Sequence, residues 1–365
     1  MLRSPVRAAF AAALSFAIAL AIAPLVAQTP TMLVVATGLD NPRGITFGPD
    51  GALYVAEAGR GGTSPLCLPA VEPPFPPTRC LGPTGAITRI SGLLVQQRVV
   101  TNLPSVAGPT GAQAAGPNDV DFGFGSMWIT IGLGGDPASR AALEASGIRM
   151  GWLARASMNG DWSYQLDLSR FEATANPDGG PVDSNPFKLL IQPNRALFAD
   201  AGGNAINQIS ANLGISNFTV LPRVNTPNGG TTDPVATSLA AAPNGDIYVG
   251  QLTGFPFTPG AASLWRVPPT GGAPTQVATG FTMIIDLAIG ADGAAYVLEH
   301  DIDGLLGPSQ DGRLTRVMPD GSRTVIASAG LTWPGGVAIG PDRAAYVTRK
   351  GSLPAVGDVV RIPLP

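Results

Sequence analysis

One phrase recurs six times along the chain: a short apolar run, a tight turn holding Gly beside Asp or Asn, and a second run carrying an aromatic residue. The clearest copies are GITFGPDGALYV at 44–55, LAAAPNGDIYV at 239–249, LAIGADGAAYV at 287–297 and VAIGPDRAAYV at 337–347, with degenerate ones at 120–129 and 189–198. The aromatic anchors are Tyr54, Trp128, Phe198, Tyr248, Tyr296 and Tyr346, and the last four fall 50, 48 and 50 residues apart. Asp-Gly or Asn-Gly between apolar runs is a hairpin signal, because the turn needs a residue tolerant of positive φ. A hairpin repeated at 40 to 50 residues is the pattern of a β-propeller.

Further strand-like runs follow the hairpins, as at 85–90 and 98–101 after the first copy and 312–317 and 322–327 after the fifth, which predicts four strands per blade. The sixth copy has only one such run, at 358–362, before the chain ends, whereas a spare run at 32–36 precedes the first copy. The expected fold is therefore an all-β, six-bladed propeller over residues 31–365, with the N-terminal strand completing the last blade and removing its open edge. Insertions are expected as surface loops at 59–83, at 136–150, with a short helix at 138–145, and at 169–184.

Composition agrees with a turn-dense globular fold. The 365 residues include 47 Gly and 36 Pro, yet 45% are apolar, too many for a disordered chain. A net charge of −3 and the absence of basic runs exclude the electrostatic footprint of a nucleic-acid binder and of a protein held on anionic membranes. Arg3 and Arg7 followed by an apolar run over 8–27 read as a signal peptide cut after Ala27, with an uncleaved anchor as the alternative. Either reading places the rest of the chain outside the cytoplasm, secreted or periplasmic, and the chain is expected to act as a monomer. In that compartment Cys67 and Cys80 are expected to pair, closing a loop of 14 residues for a stabilisation of roughly 3 kcal/mol.

Several phrases outside the repeat are more individual: Gly38-Leu39-Asp40-Asn41-Pro42-Arg43-Gly44, Asn176-Pro177-Asp178-Gly179-Gly180, Asp183-Ser184-Asn185-Pro186, Ala199-Asp200-Ala201-Gly202-Gly203-Asn204 and Gly250-Gln251-Leu252-Thr253-Gly254-Phe255-Pro256. In these the mature chain resembles the ScyD/ScyE family of exported propellers. The resemblance implies the propeller fold and export, and no settled reaction.

In a propeller the starts of the innermost strands meet the ends of the second strands on one face, where a ligand is expected. The repeat brings Arg43, Asn118, Asp119, Asn185, Thr237 and Asp286 to that rim from the inner strands, and Glu57, Thr130, Asp200, Gln251, Glu299 and His300 from the second strands. No catalytic residue stands out, and His300 is the only histidine. The expected role is binding of a small molecule or an extracytoplasmic protein. The alternative is a lactonase-like hydrolase in which Asn118, Asn185 and Asp286 hold Ca2+ or Mg2+, since oxygen donors suit those ions. Six-bladed lactonases of that kind carry a glutamate in the first blade, and here Arg43 lies at that entry. Asp301-Ile302-Asp303-Gly304 lacks the later ligands of a calcium loop and reads as a solvated turn.

Overall fold

The computed structural model describes residues 31–69, 78–92, 95–227 and 229–365, so the leader expected at 1–27 lies outside the described residues. Six antiparallel sheets stand around a central axis, and the inner strand of each touches the inner strands of its two neighbours. The inner strands are Pro42–Phe47, Pro117–Gly123, Pro186–Gln192, Ala236–Ala241, Ile284–Ile289 and Gly336–Ile339, in blades 1 to 6.

The repeated phrase forms the inner hairpin of each blade. In blade 1 the Gly51 N–H donates to the Gly48 carbonyl at 2.9 Å, and Gly48 N–H to the Ala52 carbonyl at 2.8 Å. Gly51 has φ of +74°, a conformation cheap for glycine and strained for most other residues. Blade 6 keeps the same two bonds with Arg343 at this position, at φ of +57°. The Asp of the phrase then accepts from the anchor tyrosine and from an arginine on the third strand: Asp50 with Tyr54 and Arg89, Asp292 with Tyr296 and Arg316, Asp342 with Tyr346 and Arg361.

Ring closure follows the expectation. Leu33–Leu39 pairs antiparallel with Gly357–Pro363 and is the outer strand of blade 6. Cys67 and Cys80 form a disulfide between facing strands, Cys67–Pro69 and Thr78–Ser91. The insertion after blade 2's second strand carries a 3-10 turn, Pro137–Arg140, running into the helix Ala141–Ala145. The stretch 169–184, expected as a loop, instead opens with a second helix, Ser169–Ala175, ended by Asn176 in the left-handed region. Asp301-Ile302-Asp303-Gly304 is a turn, closed by the Asp303 N–H on Asp301 Oδ1 at 3.0 Å.

Each blade interface is a separate apolar layer, with Tyr54 against Phe122 between blades 1 and 2 and Phe47 against Tyr346 between blades 1 and 6. Hydroxyls near the axis add bonds across three of the six interfaces. Thr130 donates to the Phe187 carbonyl, Thr237 to that of Ile284 and Thr348 to that of Arg43.

Candidate functional site

The inner strands begin, and the second strands end, around a cavity of about 240 Å³ at one mouth of the central channel. Arg43, Asn118, Asn185, Thr237 and His300 bring polar groups to it, while Phe187, Leu252, Ile285 and Leu305 supply apolar wall. Among the described residues no acidic side chain lines the cavity.

Arg43 brings a positive charge to this mouth. Its Nη2 donates to the Ala114 carbonyl at 3.2 Å, and its Nε is buried without an acceptor. Burial lowers the guanidinium to about 10, still fully protonated at neutral pH. No ion pair among the described residues includes it. His300 stands close enough to feel that charge. Burial, and then Arg43, bring its pKa down to about 4 against a bond to the Pro334 carbonyl. Because a carbonyl only accepts, the 2.7 Å contact from His300 Nδ1 to Pro334 O puts the ring proton on Nδ1 and leaves the lone pair on Nε2. Arg79 also reaches the cavity, but its donors are taken by the carbonyls of Pro69, Leu133 and Gly134.

The other rim candidates do different work. Glu57 accepts from the Asp40 N–H, from Thr88 and from both ends of the Arg98 fork. Glu299 accepts from the Thr282 N–H at 2.7 Å and from Arg313 through two bonds of 2.6 and 2.8 Å. Asp200 takes the Asn185 N–H and the Ser184 hydroxyl, each at 2.6 Å. The rule is common to all three: a carboxylate at the end of the second strand caps the bend that leads into its own blade's inner strand. These groups hold the rim in shape and do not line the cavity.

Asp119 and Asp286 are drawn instead to Lys188, an inner-strand residue that the sequence reading did not single out. Its ammonium reaches from blade 3 to Asp286 at 3.0 Å and to Asp119 at 3.6 Å, across the channel. Asp119 also accepts from the Leu189 N–H and Asp286 from the Val337 N–H, so each carboxylate ties its blade to the next. Gly44 makes room for this: a Cβ there would stand 1.9 Å from Asp119 Oδ1. Burial pushes Asp119 up to about 7 against the pull of Lys188, and burial raises Asp286 as well. Burial alone would lower Lys188, but the two carboxylates carry it above its ordinary value.

The set Asn118, Asn185 and Asp286 therefore does not fit a divalent cation. Asp286 already faces an ammonium, and the two amides are turned to protein partners. Asn118 Nδ2 donates to the Pro186 carbonyl at 2.8 Å and to Asn185 Oδ1 at 3.3 Å, while Asn185 Oδ1 also accepts from the Leu133 N–H. The signal that could have found Lys188 was a lone basic residue inside an apolar inner strand, Pro186–Gln192.

No protein-family model matches the chain, and no curated protein matches it in sequence. Solved structures do resemble it in fold. A gluconolactonase from Xanthomonas campestris is similar at 9% identity with a TM-score of 0.55, over 91% of this chain and 89% of that one. Regucalcin from Agrobacterium tumefaciens, described as a calcium-binding protein, is similar at 13% identity and 0.53, over 91% and 93%. A glucose dehydrogenase is similar at 10% identity and 0.54, over 92% and 100%. At such identities the likeness shows the propeller fold alone.

Proposed function

We propose that this is an exported, ScyD/ScyE-like propeller that binds a small organic anion with an apolar body at the channel mouth. One observation carries this reading: Arg43, charged and half-buried, has a buried Nε without an acceptor and no acidic partner in a cavity without carboxylates. A guanidinium N–H buried without an acceptor or a counter-charge is costly, and a ligand carboxylate would relieve that cost through charge-assisted bonds. Asn118 and the His300 Nε2 lone pair offer further polar contacts, and Phe187 and Ile285 offer apolar cover. Titration calorimetry with a panel of aliphatic and aromatic carboxylates checks it. Arg43→Ala is expected to weaken the best binder by about ten- to a hundredfold, the loss of a hydrogen bond to a charged group. Equal affinity for the uncharged amide of the same ligand would refute the reading.

The fold likeness to a gluconolactonase supports a second reading, hydrolysis of a lactone in the same cavity. It would run without a channel metal. Arg43 would hold the carbonyl oxygen while neutral His300 takes a proton from the attacking water. The water oxygen would bond to the carbonyl carbon as the ring C–O bond breaks, with the proton passing to the leaving oxygen. Lactone turnover that falls at least a hundredfold in His300→Ala would favour this reading. Carboxylate binding without any turnover would favour the first.

A further inference from the structure

We infer that the carboxylates of Glu172, Asp178, Asp183 and Asp200 form a calcium-ion site beside blade 3, separate from the channel. Glu172 lies on the helix Ser169–Ala175, Asp178 and Asp183 on the loop after it, and Asp200 at the end of blade 3's second strand. Two adjacent glycines let these groups approach one another. A Cβ at Gly203 would stand 2.7 Å from Glu172 Oε2 and 3.3 Å from Asp200 Cγ, and one at Gly202 would stand 2.7 Å from Asp183 Oδ1. Asp178 joins them through Asn204, whose Nδ2 donates to Asp178 Oδ2 at 2.8 Å.

Acidic residues gather in many turns without binding anything, so the independent observation is Glu172 itself. Its residue is 1% exposed, and neither carboxylate oxygen has a hydrogen-bond partner. A carboxylate buried in this way costs several kcal/mol unless something neutralises it. No ion pair among the described residues reaches Glu172, Asp178 or Asp200. Asn176 Oδ1, buried at the end of the same helix, is a further oxygen without a donor. Hard oxygen donors from an irregular loop suit calcium, which accepts six to eight ligands in flexible geometry, better than magnesium, which demands a strict octahedron. Among the described residues no three acidic groups already surround one point at coordinating distance, so the loop 176–184 has to close on the ion.

The inference does not depend on what the channel mouth binds. Its bearing on that mouth is positional, because Asp200 also holds the Asn185 N–H at the cavity wall.

The test uses the full chain, freed of divalent ions with a chelator and titrated with calcium chloride by calorimetry and thermal melting. One ion per chain is expected, with a melting temperature that climbs with calcium concentration and a weaker response to magnesium chloride. Glu172→Gln and Asp178→Asn are each expected to weaken calcium binding at least tenfold. Asp178 is only half buried on the loop, so its variant carries the test should Glu172→Gln fail to fold. Absence of heat and of a melting shift at millimolar calcium would overturn the inference. A calcium response that survives both substitutions would also overturn it, and would place the ion elsewhere.

Discussion

Lys188 shows how one residue can hold a ring together at its axis. Its side chain is 13% exposed, and its ammonium lies between two aspartates from blades 2 and 5 whose side chains are each 2% exposed. Removing one partner of a buried ion cluster leaves uncompensated charge, which typically costs 3–5 kcal/mol. Lys188→Met is therefore expected to lose about that much stability in urea unfolding at pH 7. Adding Asp119→Asn and Asp286→Asn to it is expected to restore part of the loss, since the stranded charges are then gone. If Lys188→Met alone were neutral, the cluster would have no part in closing the ring. The contrast with Arg43 is instructive. Both are cations near the axis, yet one is saturated by carboxylates and the other faces a cavity with a donor to spare.

Within a blade, the repeated device is the Asp–Tyr–Arg contact of blades 1, 5 and 6. It joins the inner turn to the second and third strands, which makes the turn residue a sheet residue too. Partial burial would raise these carboxyls. The arginines and the turn amides outweigh it and hold Asp50, Asp292 and Asp342 below the ordinary 3.8. A carboxyl depressed in the folded state stabilises it fully above the unfolded value and loses that contribution as pH falls through the folded one. These three carboxyls should thus contribute a modest, solvent-screened fall in melting temperature below about pH 4. The triple variant Asp50→Asn, Asp292→Asn, Asp342→Asn should melt lower at pH 7 and show a shallower fall between about pH 5 and pH 2. A wild-type melting temperature that stayed level over that acid range would contradict the assignment. In blade 4 Asn244 holds the aspartate's place, and Arg266 lies 3.8 Å from Asp246 two residues further on.

At the scale of the molecule, the ring is closed by one strand. Leu33–Leu39 supplies blade 6 with its outer edge, and Val35, Ala36 and Leu39 sit in the apolar layer shared with blade 1. Without it, Gly357–Pro363 would present unpaired backbone groups along its length, an edge open to other chains. A chain beginning at Asp40 is expected to unfold at lower urea and to associate, as read by light scattering. A truncated chain as stable and monodisperse as the longer one would show that closure rests on the axial contacts alone. Those contacts do exist at the interface between blades 6 and 1, where Thr348 bonds the Arg43 carbonyl, so the two contributions are separable by experiment.

Local chemistry alone determined the number of blades, their hairpins and the closing strand, because a turn that needs positive φ and a strand that needs an apolar face are written into neighbouring residues. It also determined that Arg43, Asn118, Asn185 and His300 stand near one mouth, since the first three lie where inner strands begin and His300 where a second strand ends. What each rim residue touches was decided by the tertiary structure. Lys188 reads as an ordinary strand lysine until the ring brings it to Asp286, 98 residues away in sequence. Glu57 and Glu299 look like ligands by position, yet the backbone bends and arginines beside them claim their oxygens. Glu172 lay in a stretch that reads as loop, and only the packing of its helix against the Gly202-Gly203 turn buried it among other acids. The physical reason is range. Turns and strand faces are settled over a few residues, whereas burial of a charge depends on which distant group arrives to meet it.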